Sequence, residues 1–190
     1  MEERKISIAR ARLTVEYPAS FMLVAAMNPC PCGYYNHPDI PCTCPPGAVQ
    51  RYLNKVSGPL MDRIDIHVEV VPVAFSDLTD KKETEKSINI RPRVVEARKI
   101  QEKRFTDNKD IHANAQMTGK LLRQHCQVDT DSQTLLKTAM EKLNLSARAY
   151  DRILKVARTI ADLDGSENIQ SEHLAEAIHF RSLDRESWGT

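Results

Sequence analysis

Residues 145–165 read LSARAYDRILKVARTIADLDG, and their apolar side chains recur every three or four positions. This spacing is typical of an amphipathic α-helix with one buried face. Ser146 is a natural N-cap, and Gly165 is placed to end the helix. The predicted buried stripe consists of Ala149, Ile153, Val156, Ala157, Ile160 and Leu163. We therefore expect this helix to lie at the centre of an all-helical unit.

The rest of the C-terminal half also has helical patterning. Four further helices are predicted, over residues 93–105, 119–126, 132–143 and 171–180. The polar stretch SDLTDKKETEKSIN, residues 76–89, indicates a surface connection. The predicted organisation is a first unit at 1–75, a linker at 76–92 and an all-helical unit at 93–190.

The N-terminal 75 residues have the patterns of strands and short helices. Residues 5–17 alternate apolar and polar side chains in two bursts, which predicts a hairpin or two strands. FMLVAAMN, residues 21–28, is almost entirely apolar, which is typical of a strand buried on both faces within a parallel sheet. IDIHVEV, residues 64–70, alternates strictly and predicts a strand with one buried face. The fold class that follows is a partial α/β core followed by a small all-α unit.

Composition excludes several classes of protein. The longest apolar run, residues 21–27, is far shorter than the roughly 20 residues that cross a bilayer, and the first residues lack the apolar core of a signal peptide. We therefore expect a cytoplasmic protein with no membrane partner. A formal net charge of +1 gives no general electrostatic case for nucleic-acid binding.

Four of the five cysteines lie in NPCPCGYYNHPDIPCTCPPG, residues 28–47, with the spacing C-x-C-x9-C-x-C. Four thiolates match the tetrahedral preference of structural zinc, although paired zinc ligands are usually separated by two residues or more. The predicted ligands are Cys30, Cys32, Cys42 and Cys44. Two alternatives stay open: His37 replaces one cysteine, or the thiols are free or partly oxidised. A closed shell of four thiolates leaves no position for water, so such a zinc is structural.

The fifth cysteine, Cys126, lies in an apolar helical stretch far from the other four. A free cysteine in such a place behaves as a small apolar side chain. We predict that Cys126 is a core residue.

Three other residues are candidates for ligand binding. Asn28 ends the predicted buried strand, where ligands bind in open α/β sheets, but it also suits the turn before Pro29. Arg63 stands between two aspartates, so either a surface salt bridge or contact with a phosphate explains it. Arg148 lies in the first turn of a helix, where a cation opposes the helix dipole; either Asp151 or a bound anion offsets this.

Three stretches together resemble one family. They are YPASFMLVAAMNPCPCG, QRYLNKVSGPLMDRIDIHVEV and LSARAYDRILKVARTIADLDGSENIQSEHLAEAI. In this order they are similar to the C-terminal part of the magnesium-chelatase-like AAA+ ATPases of bacteria, of the YifB or ComM type. The resemblance extends over nearly the whole chain.

The resemblance implies a role for each candidate. Asn28 falls on the sensor 1 position, which orients the water that attacks the γ-phosphate. Arg63 falls on the arginine finger, which completes the site of a neighbouring subunit, and Arg148 on the sensor 2 arginine of the helical lid. Residues 5–17 resemble a hairpin that precedes the sensor strand, and the cysteine segment looks like an insertion after it. ATP and Mg²⁺ are the implied cofactors, and a hexameric ring is the implied assembly.

The sequence departs from the family at its N-terminal side. It contains no G-x-x-x-x-G-K-[ST] motif and no apolar strand ending in Asp-Glu. We therefore expect a C-terminal portion of an ATPase that does not hydrolyse ATP alone. The ComM branch implies DNA branch migration, yet Arg98, Lys99, Lys103 and Arg104 are interleaved with acids and are predicted to form a solvated face. The alternatives are a zinc-stabilised interaction module without catalysis and a chelatase-type metal-insertion motor.

Overall fold

The computed structural model describes residues 4–10, 13–73, 84–108 and 110–181. Of the predicted linker at 76–92, residues 76–83 lie outside the described residues. The chain forms two compact units, residues 1–53 and residues 54–190. Residues 54–73, which the sequence assigns to the first unit, thus belong to the second.

The predicted hairpin is confirmed. Strands β1 (Lys5–Arg10) and β2 (Leu13–Pro18) pair antiparallel, with Ile8 opposite Val15. The main-chain N–H of Ala19 donates to the carbonyl of Arg4 over 2.7 Å and closes the open end of the hairpin. Nearly every residue of both strands is exposed, so the hairpin buries neither face in its own unit.

The predicted central strand at residues 21–28 does not form. This segment has no regular secondary structure, and Met22 and Val24 are 87% and 82% exposed. A strand forms only where a neighbouring strand hydrogen-bonds to it. Within the described residues the only sheet is the two-stranded β1–β2 hairpin, so the segment has no strand to pair with.

The second predicted strand, residues 64–70, is also wrong. Helices α1 (Ala48–Leu53) and α2 (Gly58–Met61) precede it, but the segment itself has no strand structure. The burial is the reverse of the expected pattern: His67 is 7% exposed, whereas Val68 is 64% exposed. The main-chain N–H of His67 instead donates to the carbonyl of Phe180, just after the last helix of the second unit, and the described residues offer the segment no partner strand.

The second unit contains the predicted helices. They are α3 (Ser87–Arg104), α4 (Gly119–His125), α5 (Thr130–Lys142), α6 (Ala147–Leu163) and α7 (Ser171–His179), with a 3-10 turn at Asn114–Gln116. The helix α3 begins six residues before its predicted start and includes Pro92. Among the described residues, no helix is both long and apolar enough to cross a membrane.

Helix α6 lies at the centre of this unit, as its sequence predicts. The hydroxyl of Ser146 accepts a hydrogen bond from the Ala149 N–H, and Gly165 has a φ of +71° just beyond the helix. Ile153 and Ala157 are fully buried. They belong to a core that also contains Phe105, Met117, Leu122, Cys126, Leu136 and Leu174. The prediction for Cys126 is confirmed, but Leu163 is 46% exposed and lies outside the buried stripe.

A buried polar network joins α3, the 3-10 turn and α6. The carboxylate of Asp162 accepts hydrogen bonds from Arg104, Arg158 and Asn114 at 2.5 to 3.1 Å. Arg104 is therefore not on a solvated face, because its side chain is only 13% exposed. Lys99 does lie at the surface, where it pairs with Glu96 over 3.2 Å.

Candidate functional site

The cysteine segment lies in the first unit and is shaped by tight turns. The N–H of Gly33 bonds to the carbonyl of Cys30 over 3.1 Å, and Gly33 has a φ of +86°. A side chain at that φ would be strained, so glycine is needed between the first cysteine pair and the loop. Asn36, with a φ of 60°, makes a second tight turn within the loop. These turns return the chain so that Cys42 lies beside Cys30 and Cys32.

The four sulfurs form a compact cluster. All four Sγ atoms lie within 4.8 Å of one another. The separations are 3.3 Å for Cys30 and Cys32, 3.5 Å for Cys32 and Cys42, and 3.8 Å for Cys30 and Cys42. A tetrahedral zinc with Zn–S bonds of about 2.3 Å requires sulfurs about 3.8 Å apart. Within the described residues this is the only group of three or more potential ligands close enough to hold a metal ion.

The alternatives from the sequence are less well matched by this geometry. All four cysteines are unpaired, because their sulfurs are much farther apart than the roughly 2 Å of a disulfide. The Nδ1 atom of His37 accepts hydrogen bonds from the N–H groups of Asp39 and Ile40, both at 3.1 Å. His37 is thus engaged in its own turn, and the donor set that could hold a metal is the four cysteines.

The thiols strongly influence one another. A hydrogen bond from the main chain of Tyr34 lowers the pKa of Cys32 to about 5. A main-chain hydrogen bond from Cys32 lowers the pKa of Cys44, but desolvation and the other three cysteines outweigh it and raise that pKa to about 12. Four thiolates at this distance repel one another, and a divalent cation at their centre would offset the repulsion.

The two predicted arginines lie in the second unit. Arg63 is half-buried just after α2, and its Nη1 donates to the carbonyl of Pro59 over 2.8 Å. Arg148 is exposed in the first turn of α6. The ion pair between Asp65 and Arg152, at 2.9 Å, joins the Arg63 segment to the same helix. Because Arg152 is one helical turn after Arg148, the two arginines occupy one face of α6 near its N-terminus.

Asn28 is the third predicted site residue. It belongs to the first unit, is exposed, and precedes Cys30 by two residues. The structure therefore brings the elements that carry Arg63 and Arg148 together within the second unit, whereas Asn28 belongs to the first.

Sequence reasoning missed Arg181. Its side chain is fully buried and donates hydrogen bonds to the carbonyls of Ile64 and Met61, on either side of Arg63. No local pattern could indicate this contact, because the partners are more than 115 positions apart in the chain. The one available signal was a basic residue immediately after the last amphipathic helix.

Comparison with known proteins identifies the family. Residues 84–181 match the family described as magnesium chelatase, subunit ChlI C-terminal, and residues 1–78 match magnesium chelatase, subunit ChlI. The chain is 40% identical over 188 residues to the competence protein ComM of Haemophilus influenzae. It is 41% identical over 187 residues to the uncharacterized protein YifB of Escherichia coli, and 38% identical over 188 residues to YifB of Salmonella typhimurium.

These alignments cover 97% of this chain but 35% of each relative. The chain thus spans about a third of the length of the curated relatives that it matches. The first family match ends at residue 78 and the second begins at residue 84. This chain belongs to the magnesium-chelatase-like family of the ComM and YifB type.

Proposed function

We propose that this chain is the nucleotide-sensing, C-terminal portion of a ring-forming AAA+ ATPase. The observation that carries the proposal is the Asp65–Arg152 ion pair, which joins the Arg63 segment to the helix that bears Arg148. Two cations on joined elements suit a site that responds to the phosphates of one nucleotide. Family membership supports the same reading.

Each residue has a distinct role in this proposal. Arg63 reaches the γ-phosphate held by a neighbouring subunit and stabilises the charge that develops in the transition state. Arg148 binds phosphate together with the N-terminus of α6, where main-chain N–H groups favour an anion. Asn28 orients the attacking water. The phosphate-binding loop and the Mg²⁺ ligands come from chain outside these 190 residues, so this chain alone does not hydrolyse ATP.

The cysteine cluster has a structural role in the proposal. The donor chemistry and the sulfur separations fit zinc, held by Cys30, Cys32, Cys42 and Cys44. Zinc bound there fixes the loop that follows Asn28 and takes no part in hydrolysis. It stabilises the first unit, which buries few of its apolar side chains.

The test uses a chimera in which this chain replaces the aligned 188 residues of H. influenzae ComM. Arg63→Ala is expected to abolish ATP hydrolysis while nucleotide binding, measured with a fluorescent ATP analogue, is retained. Arg98→Ala, at an exposed position of α3, is the matched control and should leave hydrolysis unchanged. Hydrolysis that survives Arg63→Ala would refute the finger role, and joint loss of binding and folding would favour a purely structural arginine.

We further propose that the complete protein acts on DNA in the cytoplasm. The support is the name of the ComM relative, a competence protein, since competence concerns DNA uptake. DNA that stimulates ATP hydrolysis by the chimera would favour a DNA motor. Stimulation by a tetrapyrrole and a metal ion, with no response to DNA, would favour the metal-insertion motor instead.

A further inference from the structure

The segment that carries Arg63 is held by a buried cation. The guanidinium of Arg181, fully buried, donates to the carbonyl of Ile64 and, over 3.5 Å, to that of Met61. One of these carbonyls precedes Arg63 by two residues and the other follows it by one. A buried guanidinium requires hydrogen-bond acceptors. The two carbonyls accept hydrogen bonds from its Nη atoms, so the contact holds the main chain on both sides of Arg63.

Two further contacts fix the same segment. The main-chain N–H of His67 donates to the carbonyl of Phe180 over 2.9 Å, and the His67 side chain is buried. Asp65 pairs with Arg152 at 2.9 Å. The segment is therefore attached both to α6 and to the end of α7, although it has no secondary structure of its own.

We propose that Arg181 is a positioning residue for Arg63, because it holds the main chain on both sides of that residue. The inference rests on the proposed role of Arg63. Arg181 touches no nucleotide in this account; it sets the main-chain position from which Arg63 reaches the neighbouring subunit.

Hydrogen exchange on the 190-residue chain tests the attachment directly. Arg181→Met keeps much of the side chain's volume and removes the donors, while Arg181→Lys keeps a donor. We expect peptides covering residues 59–67 to exchange at least tenfold faster in Arg181→Met and less so in Arg181→Lys, with α6 unchanged. Arg123→Met, at an exposed position of α4, is the matched control and should change neither region.

A milder variant covers the case in which Arg181→Met unfolds the helical unit. Asp65→Ala removes only the ion pair with Arg152, and the Asp65 side chain is 45% exposed. It should accelerate exchange in the same peptides by a smaller factor while the helices stay folded. Unchanged exchange at 59–67 in a folded Arg181→Met protein would overturn the inference; if Arg181→Met does not fold, unchanged exchange in folded Arg181→Lys would do so.

Kinetics of the ComM chimera separate positioning from general stability. If Arg181 acts through Arg63, Arg181→Met lowers kcat about tenfold or more, leaves KM unchanged, and has no further effect in an Arg63→Ala background. If the double variant instead loses kcat by the product of the two separate factors, the inference is overturned. If Arg63→Ala alone leaves kcat unchanged, the finger role fails, and the exchange experiment still decides whether Arg181 fixes the segment.

Discussion

Replacing Asp162 by Asn should strongly destabilise the helical unit. The Asp162 side chain is 0% exposed and accepts two hydrogen bonds from Arg104, one from Arg158 and one from Asn114. The two arginines are 13% and 3% exposed. Burial lowers the pKa of Arg158, and the charge of Asp162 opposes this effect. The carboxylate is therefore the counter-charge of two desolvated cations.

The magnitude follows from what each partner retains. In Asp162→Asn the remaining oxygen still accepts a hydrogen bond, but the amide NH₂ group is a donor that faces the N–H donors of the guanidinium groups. The negative charge is also lost. Arg158 keeps the carbonyls of Glu167 and Ser166, at 2.8 and 2.6 Å, and Arg104 keeps only the Asn114 side-chain oxygen, at 2.8 Å. Because Arg104 makes two bonds to the carboxylate and Arg158 one, Arg104 suffers the larger loss. Removing one partner of a buried ion pair costs about 3 to 5 kcal/mol. We expect a loss within that range, a large part of the roughly 5 to 15 kcal/mol of a typical domain.

Urea denaturation followed by circular dichroism at 222 nm measures this loss. Asp164→Asn is the matched control, because it removes the same charge two residues later, from a side chain that is 69% exposed and pairs with His173 at 3.3 Å. The control should lose less than about 1 kcal/mol. Adding Arg104→Met to Asp162→Asn should cost less than the sum of the single changes. A loss below about 1 kcal/mol in Asp162→Asn would refute the counter-charge argument.

Two further predictions concern metal content and pH. Cys42→Ser should release about one zinc per chain, measured by elemental analysis, without changing the helical signal, since the cluster lies in the first unit; equal zinc in variant and parent would contradict it. Desolvation, with Arg104 and Arg158, lowers the pKa of His125. The unfolded chain therefore binds the proton more readily, and stability should fall as pH drops below about 6.5. His125→Phe should reduce this slope in urea titrations between pH 7.5 and 5.5; an identical slope would contradict the assignment.

The sequence predicts the helical unit well because its signals are local. The N-cap at Ser146, the apolar stripe of α6 and Gly165 after its end depend on neighbours within a few residues. The start of α3 is the exception. Pro92 lies at its sixth position and lacks an N–H, which made a helix boundary the natural interpretation. The structure continues the helix through it.

The strand predictions were wrong because strand structure depends on residues that are distant in the sequence. An apolar run such as residues 21–28 says that the segment suits a buried strand, but not which strand lies beside it. Strand structure depends on that neighbour, and the described residues supply none. The burial of Asp162 and Arg158 was missed for the same reason. A charged residue in an amphipathic helix is expected to be solvated unless its distant partner, here Arg104, is known.

The candidate site shows where family boundaries and physical boundaries differ. The first family covers residues 1–78, whereas the second compact unit begins at residue 54. Residues 54–73 therefore belong by sequence to the N-terminal family and by packing to the helical unit. Arg63 lies in this overlap, with Arg181 and Arg152 anchoring its flanks. The two boundaries differ because the arginines that contact Asp65, Ile64 and Met61 lie in α6 and just after α7, so packing assigns this segment to the unit that contains its partners.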